Sequence, residues 1–120
     1  MNINFLTLAY IGDAVYEIYI RKFLIDKNIV KVNLLQKEAI KYVSAKNQAK
    51  FLNSMLDNNF LSEDEINIVK RARNHKSHSS KSTDIITYKK STGLEALIGF
   101  LYLNNNKKRI DEIMKYITEE

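Results

Sequence analysis

LAYIGDAVYEIYI, the stretch from Leu8 to Ile20, is apolar at most positions and has one aspartate, Asp13, near its middle. At ~100° per residue on a helical wheel, its apolar side chains form two separate stripes. We therefore expect a helix over about residues 4–24 that is covered on two sides, with Asp13 in the centre of one covered stripe. Because an ionised carboxylate is costly to bury alone, the sequence predicts a partner for Asp13.

The composition indicates one all-α domain over residues 1–120. Hydrophobic residues make up 45% of the 120 residues, and the chain has no proline and three glycines, so few residues interrupt helices. The absence of cysteine excludes a disulfide framework and fits a reducing compartment. No apolar run reaches the length of a membrane span and no signal peptide opens the sequence, so we predict a cytoplasmic protein that does not enter a membrane.

Helical spacing continues through the rest of the chain. Residues 32–58 read as one long helix or as two helices that break near Val43–Ser44. A capping box of Ser62 and Glu65 begins the next helix, and residues 74–83 read as a polar loop. Three shorter predictions complete the helical bundle: a helical turn from Asp84 to Tyr88, an apolar helix over 92–103, and an amphipathic helix over 107–117.

Glu95 resembles Asp13, since it is the only charged residue in its apolar helix. If the two helices cross, both carboxylates could bind one Mg²⁺, a cation that prefers oxygen ligands and keeps several waters. Two structural explanations stay open. Asp13 could form an ion pair with a lysine or arginine, and Glu95 could complete a capping box with Thr92.

The chain is basic, with a formal net charge of +5, which favours a polyanionic partner such as nucleic acid. A lysine-rich surface that serves only solubility is the alternative. Basic and polar residues concentrate around the predicted loop and before the Glu95 helix: Arg71, Arg73, Asn74, His75, Lys76, His78, Lys81, Lys89 and Lys90. His75 and His78 alone are a weak indication of zinc, since cysteine is absent.

Several segments resemble one family when they are taken together and in order. LAYIGDAVYE resembles the signature helix of the ribonuclease III family, and STGLEALIGFLYL resembles its second signature. The segments LLQKEAIKYVSAKNQA, RARNHKS and STDIITY extend the match over nearly the whole chain. The pattern is most similar to Mini-III, the small bacterial subfamily that lacks a separate domain for binding double-stranded RNA.

This resemblance implies a ribonuclease III-like all-α homodimer that cuts double-stranded RNA with Mg²⁺, leaving 5′-phosphate and 3′-hydroxyl ends. By the same resemblance, Asp13 and Glu95 are the catalytic metal ligands, and precursor large-subunit ribosomal RNA is the substrate. Arg73, Asn74, Lys76, Lys81, Lys89 and Lys90 are then candidates for binding RNA. A dimer would also explain the two stripes of the first helix, one in the core and one at the subunit interface.

The chain departs from full-length ribonuclease III at two acidic positions, where Ala9 and Thr92 stand instead. Mini-III has a reduced set of this kind, so the departure fits the subfamily but leaves a second metal open. The alternative function is a catalytically inactive homodimer that binds RNA. A helical adaptor, or a helical regulator that binds DNA, are further alternatives.

Overall fold

The computed structural model describes residues 4–74 and 84–119, and every regular element in these ranges is an α-helix. The all-α prediction is confirmed. His75, Lys76, His78 and Lys81, which belong to the predicted loop, lie outside the described residues. The helices are α1 Phe5–Asp26, α2 Val32–Val43, α3 Ala45–Asp57, α4 Glu63–Arg73, α5 Ile85–Leu103 and α6 Lys107–Glu119.

Side-chain caps define where most of these helices begin. The Asn4 side chain accepts hydrogen bonds from the backbone of Leu6 and Thr7 at the start of α1. The capping box of Ser62 and Glu65 is present as predicted, with both reciprocal hydrogen bonds. Ser44 ends α2 and caps α3, so the second of the two predictions for residues 32–58 is the correct one.

Asparagine replaces glycine at the ends of three helices. Asn28, Asn59 and Asn105 adopt positive φ angles of 67°, 54° and 58°, directly beyond the C-caps of α1, α3 and α5. Asparagine tolerates this left-handed conformation better than other non-glycine residues. The three glycines are therefore available for another purpose, which is close contact between helices.

The central contact of the fold is the crossing of α1 and α5. Gly12 on α1 lies against the backbone of Glu95, and Gly99 on α5 lies against the backbone of Leu8. A Cβ atom at either glycine would overlap a carbonyl oxygen of the other helix. The two backbones therefore approach as closely as the absence of side chains permits.

Helices α3, α4 and α6 pack around this crossing pair and enclose the main core. Its fully buried side chains include Tyr16, Ile20, Leu52, Leu97 and Ile113. Arg109 on α6 fastens the last helix to α4, with Nε donating to Glu65 at 2.7 Å and Nη2 donating to the other Glu65 oxygen at 2.8 Å.

Helix α2 is attached differently, because none of its residues is buried. Its Tyr42 ring packs edge-on against Phe23 and stacks with Phe51, and the Tyr42 carbonyl accepts a 2.7 Å hydrogen bond from the Tyr16 hydroxyl. These contacts hold the C-terminal end of α2 beside α1 and α3.

The predicted boundary within residues 84–103 is wrong. Asp84 caps a helix as expected, but that helix continues without interruption to Leu103 instead of ending near Tyr88. Ser91 and Thr92, at the junction of the two predicted segments, donate their hydroxyls to the Tyr88 carbonyl at 2.8 and 3.1 Å. This back-bonding satisfies both polar groups inside the helix.

Gly12→Ala should destabilise the fold by at least about 3 kcal/mol, since the new methyl group must push α1 away from the Glu95 backbone. Chemical unfolding by urea would measure the loss. Gly93→Ala is the matched control, because its Cβ would meet the Val69 carbonyl oxygen at 3.0 Å and small adjustments can relieve the contact. Its cost should be about 1 kcal/mol or less, offset by the higher helix propensity of alanine. Equal losses in the two variants would contradict the proposed role of the Gly12 contact.

Candidate active site

Asp13 follows Gly12 directly, so the crossing of α1 and α5 determines its position. The aspartate is exposed in the single chain, and the prediction that it lies in a covered stripe is wrong. On the helical wheel, Asp13 shares its stripe with Ala9, Tyr10 and Tyr16. Ala9 and Tyr16 are buried, but Tyr10 is 81% exposed. Apolar spacing shows which residues share a face of a helix, but not where that face leaves the core.

Glu95 lies opposite Asp13 on α5 and is partly buried. Burial raises the pKa of the Glu95 carboxyl to about 9, and the hydrogen bond to Asp13 and the negative charge of Asp13 act in the same direction. Glu95 therefore keeps its proton at neutral pH in the metal-free chain. The structure brings together the two residues that the sequence singled out.

The structural explanations for these two carboxylates do not hold. Thr92 lies inside α5, eight residues from its cap at Asp84, so it cannot form a capping box with Glu95. Among the described residues, no lysine or arginine forms a salt bridge with Asp13 or Glu95. Glu17, one turn after Asp13, forms a salt bridge with Arg21 at 2.9 Å.

Sequence reasoning missed two residues beside Glu95. Gln48, in the first turn of α3, is 1% exposed, and its amide lies beside the Glu95 carboxyl without completing a hydrogen bond from its nitrogen. This proximity lowers the pKa of Glu95, against the larger effects that raise it. Tyr16 is fully buried nearby, and burial and the proximity of Glu95 raise its pKa far above the usual range. Gln48 could have been found by its spacing, since it shares the apolar face of α3 with Leu52 and Met55.

The donor set at this place fits a hard divalent cation. Two carboxylates that repel each other without a neighbouring positive charge are stabilised by Mg²⁺, which commonly binds one or two carboxylates and completes its shell with water and phosphate. No cluster of three or more histidine, aspartate or glutamate side chains occurs in residues 4–74 and 84–119. Within these ranges, Asp13 and Glu95 would therefore hold such an ion with two protein carboxylates and no third acidic or histidine ligand.

The structure describes four of the six predicted RNA-binding residues. Arg73 is the last residue of α4 and is partly buried. Asn74 is the C-cap of that helix and is exposed. Lys89 and Lys90 lie on α5 about 9 and 7.5 Å before Glu95 along the helix axis, and about 120–140° around it. They are half-buried and do not point to the same side of α5 as Glu95. The predictions for Lys76 and Lys81 fall outside the described residues.

A model of the Ribonuclease III domain matches residues 6–106. The chain belongs to the ribonuclease III family. Mini-ribonuclease 3 of Enterococcus faecalis is 45% identical over 115 residues, which cover 95% of this chain and 87% of that protein. Mini-ribonuclease 3 of Brevibacillus brevis is 50% identical over 113 residues, covering 93% of this chain and 83% of that protein.

A solved structure agrees with the family assignment. The chain superimposes on an X-ray crystal structure of a Fusobacterium nucleatum protein with a TM-score of 0.88 and 32% sequence identity, covering 98% of this chain and 94% of that one. The predicted resemblance to Mini-III is confirmed, and the ribonuclease III family relationship supports an endoribonuclease that acts on RNA. No helix within the described ranges is long and apolar enough to span a lipid bilayer.

The raised pKa of Glu95 makes the stability of the metal-free chain depend on pH. Between an unfolded pKa near 4.5 and the folded value of about 9, the folded chain keeps a proton that the unfolded chain has released. Stability from this group therefore falls as pH rises through that window, by at most about 1.4 kcal/mol per pH unit.

Glu95→Gln removes this titration, so the variant should be more stable than wild type, and by a larger margin at pH 8 than at pH 5. Urea unfolding in chelator at both pH values measures the difference. Glu17→Gln, at a half-exposed carboxylate paired with Arg21, is the control and should change stability little at either pH. A margin for Glu95→Gln that does not grow with pH would contradict the shifted pKa.

Proposed function

We propose that this protein is a Mg²⁺-dependent endoribonuclease that hydrolyses phosphodiester bonds of double-stranded RNA. The observation that supports it most is the meeting of Asp13 and Glu95 from two crossing helices, at the positions where the family resemblance implies metal ligands. The Mini-ribonuclease 3 names of the relatives support the class of reaction.

In this proposal, Asp13 and Glu95 hold the cation with one carboxylate each. Bound Mg²⁺ would supply an activated water and neutralise charge that develops on the scissile phosphate. Glu95 must release its proton to bind, which ties metal binding to pH. Asp13 is exposed, so its side of the Asp13–Glu95 pair would be open to water and to an RNA phosphate. Glu95 is partly buried and lies on the inner side of the pair.

Arg73, Asn74, Lys89 and Lys90 would contact the RNA backbone. Duplex RNA is recognised mainly by shape and phosphate charge, so a basic chain with a formal net charge of +5 suits it. Because Lys89 and Lys90 lie before Glu95 on α5 and point to another side of that helix, their role would be to hold the duplex beside the scissile bond. Lys76 and Lys81 stay predictions for the same surface.

The exposed face of α1 supports the proposal that the protein is a homodimer. Tyr10 and Ile18 on α1 are 81% and 66% exposed in the single chain. A mostly apolar cleft of about 510 Å³ adjoins this face and is lined by residues that include Ile11, Ala14 and Tyr102. A second copy packed here would bury the apolar residues that the single chain leaves open.

The biological assignment is part of the proposal. By resemblance to Mini-III, the substrate is the precursor of large-subunit ribosomal RNA, and the absence of cysteine fits action in the cytoplasm. A catalytically inactive RNA-binding homodimer is the competing function, because the site has only two carboxylates among the described residues.

Cleavage of a long double-stranded RNA is the direct test. Wild type should cut with Mg²⁺ and stop when the ion is chelated. Asp13→Asn and Glu95→Gln should each lower kcat/KM by at least about a hundredfold, the scale for losing one electrostatic group from an active site. Asp26→Asn is the matched control on the same helix, since its carboxylate pairs with exposed Lys22 and should be dispensable.

Circular dichroism and unfolding would establish that each variant folds. Wild type that binds the duplex in a gel-shift assay but does not cut it across a range of Mg²⁺ and Mn²⁺ concentrations would support the inactive RNA-binding alternative. Cleavage by wild type in chelator would refute the role of the metal.

Tyr10→Lys should dissociate the dimer, because it places a charge in the centre of the apolar α1 face. Sedimentation velocity would measure the mass over a concentration series. Val30→Lys is the control, since Val30 is 82% exposed outside this face, and this variant should stay dimeric. A monomeric wild type, or dissociation by Val30→Lys alone, would refute the α1 interface.

A further inference from the structure

Gln48 is the one buried polar side chain in residues 4–74 and 84–119 whose nitrogen has no hydrogen-bond partner there. It is 1% exposed, so water does not readily replace the missing partner. Leaving a buried donor unsatisfied costs about 1–3 kcal/mol. An apolar side chain of similar volume would avoid this cost. The amide of Gln48 therefore does not serve the stability of the metal-free chain.

The place of Gln48 suggests that explanation. Ser44 caps α3 by accepting from the Asn47 backbone, and the Gln48 backbone donates to the Ser44 carbonyl at 2.9 Å. The first turn of α3 is therefore fixed where it packs on α5. From this turn the Gln48 amide contacts the carboxyl of Glu95.

We propose that Gln48 is a positioning residue that orients the Glu95 carboxylate for a divalent cation by donating a hydrogen bond from Nε2. This inference rests on the proposed function, because it assumes that Glu95 binds the metal. A metal-bound carboxylate is ionised and accepts hydrogen bonds, so it provides the partner that Nε2 lacks in the metal-free chain. Outer partners of this kind fix the orientation of metal ligands and affect metal affinity.

The chemistry of an amide suits this position better than that of a charged donor. A lysine or arginine beside Glu95 would form an ion pair with it, and its positive charge would oppose binding of the cation. Gln48 donates without adding charge. The carboxylate then keeps its full charge for the metal while losing the freedom to rotate away from Asp13.

Gln48→Met tests the inference, since methionine has nearly the same length and no donor. Mn²⁺ titration by calorimetry without RNA provides the readout, because Mn²⁺ prefers the same oxygen ligands as Mg²⁺. We expect Kd for Mn²⁺ to rise about 10- to 100-fold. Urea unfolding of the metal-free variant should show unchanged or greater stability, because the unsatisfied amide is gone.

Leu52→Met is the matched control, as it places methionine at a fully buried position one turn later on the same face of α3. It disturbs the packing but no contact with Glu95, so its Mn²⁺ affinity should equal that of wild type. Gln48→Leu repeats the test with a branched side chain in case Gln48→Met does not fold.

The inference is overturned if the Gln48 variants bind Mn²⁺ as wild type does, or if Leu52→Met weakens binding by the same factor. Asp13→Asn and Glu95→Gln identify a failure of the proposed function itself. If these variants bind Mn²⁺ like wild type, or if wild type does not bind it, both proposals fail together. If Asp13→Asn and Glu95→Gln lose Mn²⁺ binding while the Gln48 variants keep it, Asp13 and Glu95 are metal ligands and the role of Gln48 is refuted.

Discussion

The backbone contact between α1 and α5 is the constraint on which the remaining structure depends. Gly12 and Gly99 each lie against a carbonyl oxygen of the opposite helix, so the crossing is fixed from both sides. Asp13 is the next residue after one contact, and Glu95 provides the carbonyl of that same contact. The two carboxyl groups are therefore neighbours because the glycines are small. The other helices pack around the α1–α5 pair, whose interaxial distance the glycine contacts determine.

The candidate site contains buried polar groups without stabilising partners, unlike the rest of the described structure. Elsewhere a buried charge has a partner, as Glu65 has in Arg109. At the α1–α5 crossing, burial and a neighbouring carboxylate raise the pKa of Glu95, and Gln48 beside it has an unsatisfied nitrogen. Such unfavourable groups are retained at functional sites when a bound ligand satisfies them. The core around Tyr16, Leu52 and Leu97 supplies the stability that offsets them.

The sequence predicted local features well, because caps and helical spacing act over a few residues. It gave a break near Val43–Ser44 as one of two alternatives, and it located the capping box at Ser62 and a helix start at Asp84. It also selected Asp13 and Glu95 as polar exceptions in apolar helices. It placed Asp13 in a covered stripe because spacing cannot show where the core ends. It divided α5 because the back-bonding of Ser91 and Thr92 to Tyr88 is not evident from residue type. Gln48 was missed although its spacing places it on the apolar face of α3, and its relation to Glu95 on another helix is not evident from spacing within α3.

The loose attachment of α2 has a consequence for how the molecule opens. A helix without buried residues can detach while the crossing of α1 and α5 stays intact, so its amides should exchange hydrogen through local fluctuations instead of global unfolding. The last contact of α2 to break would be that of Tyr42. Its carbonyl accepts the hydrogen bond from the Tyr16 hydroxyl, which lies in the interior near Glu95. The chain thus has two levels of cooperativity, an outer helix that opens readily and an inner scaffold that keeps the carboxylates together.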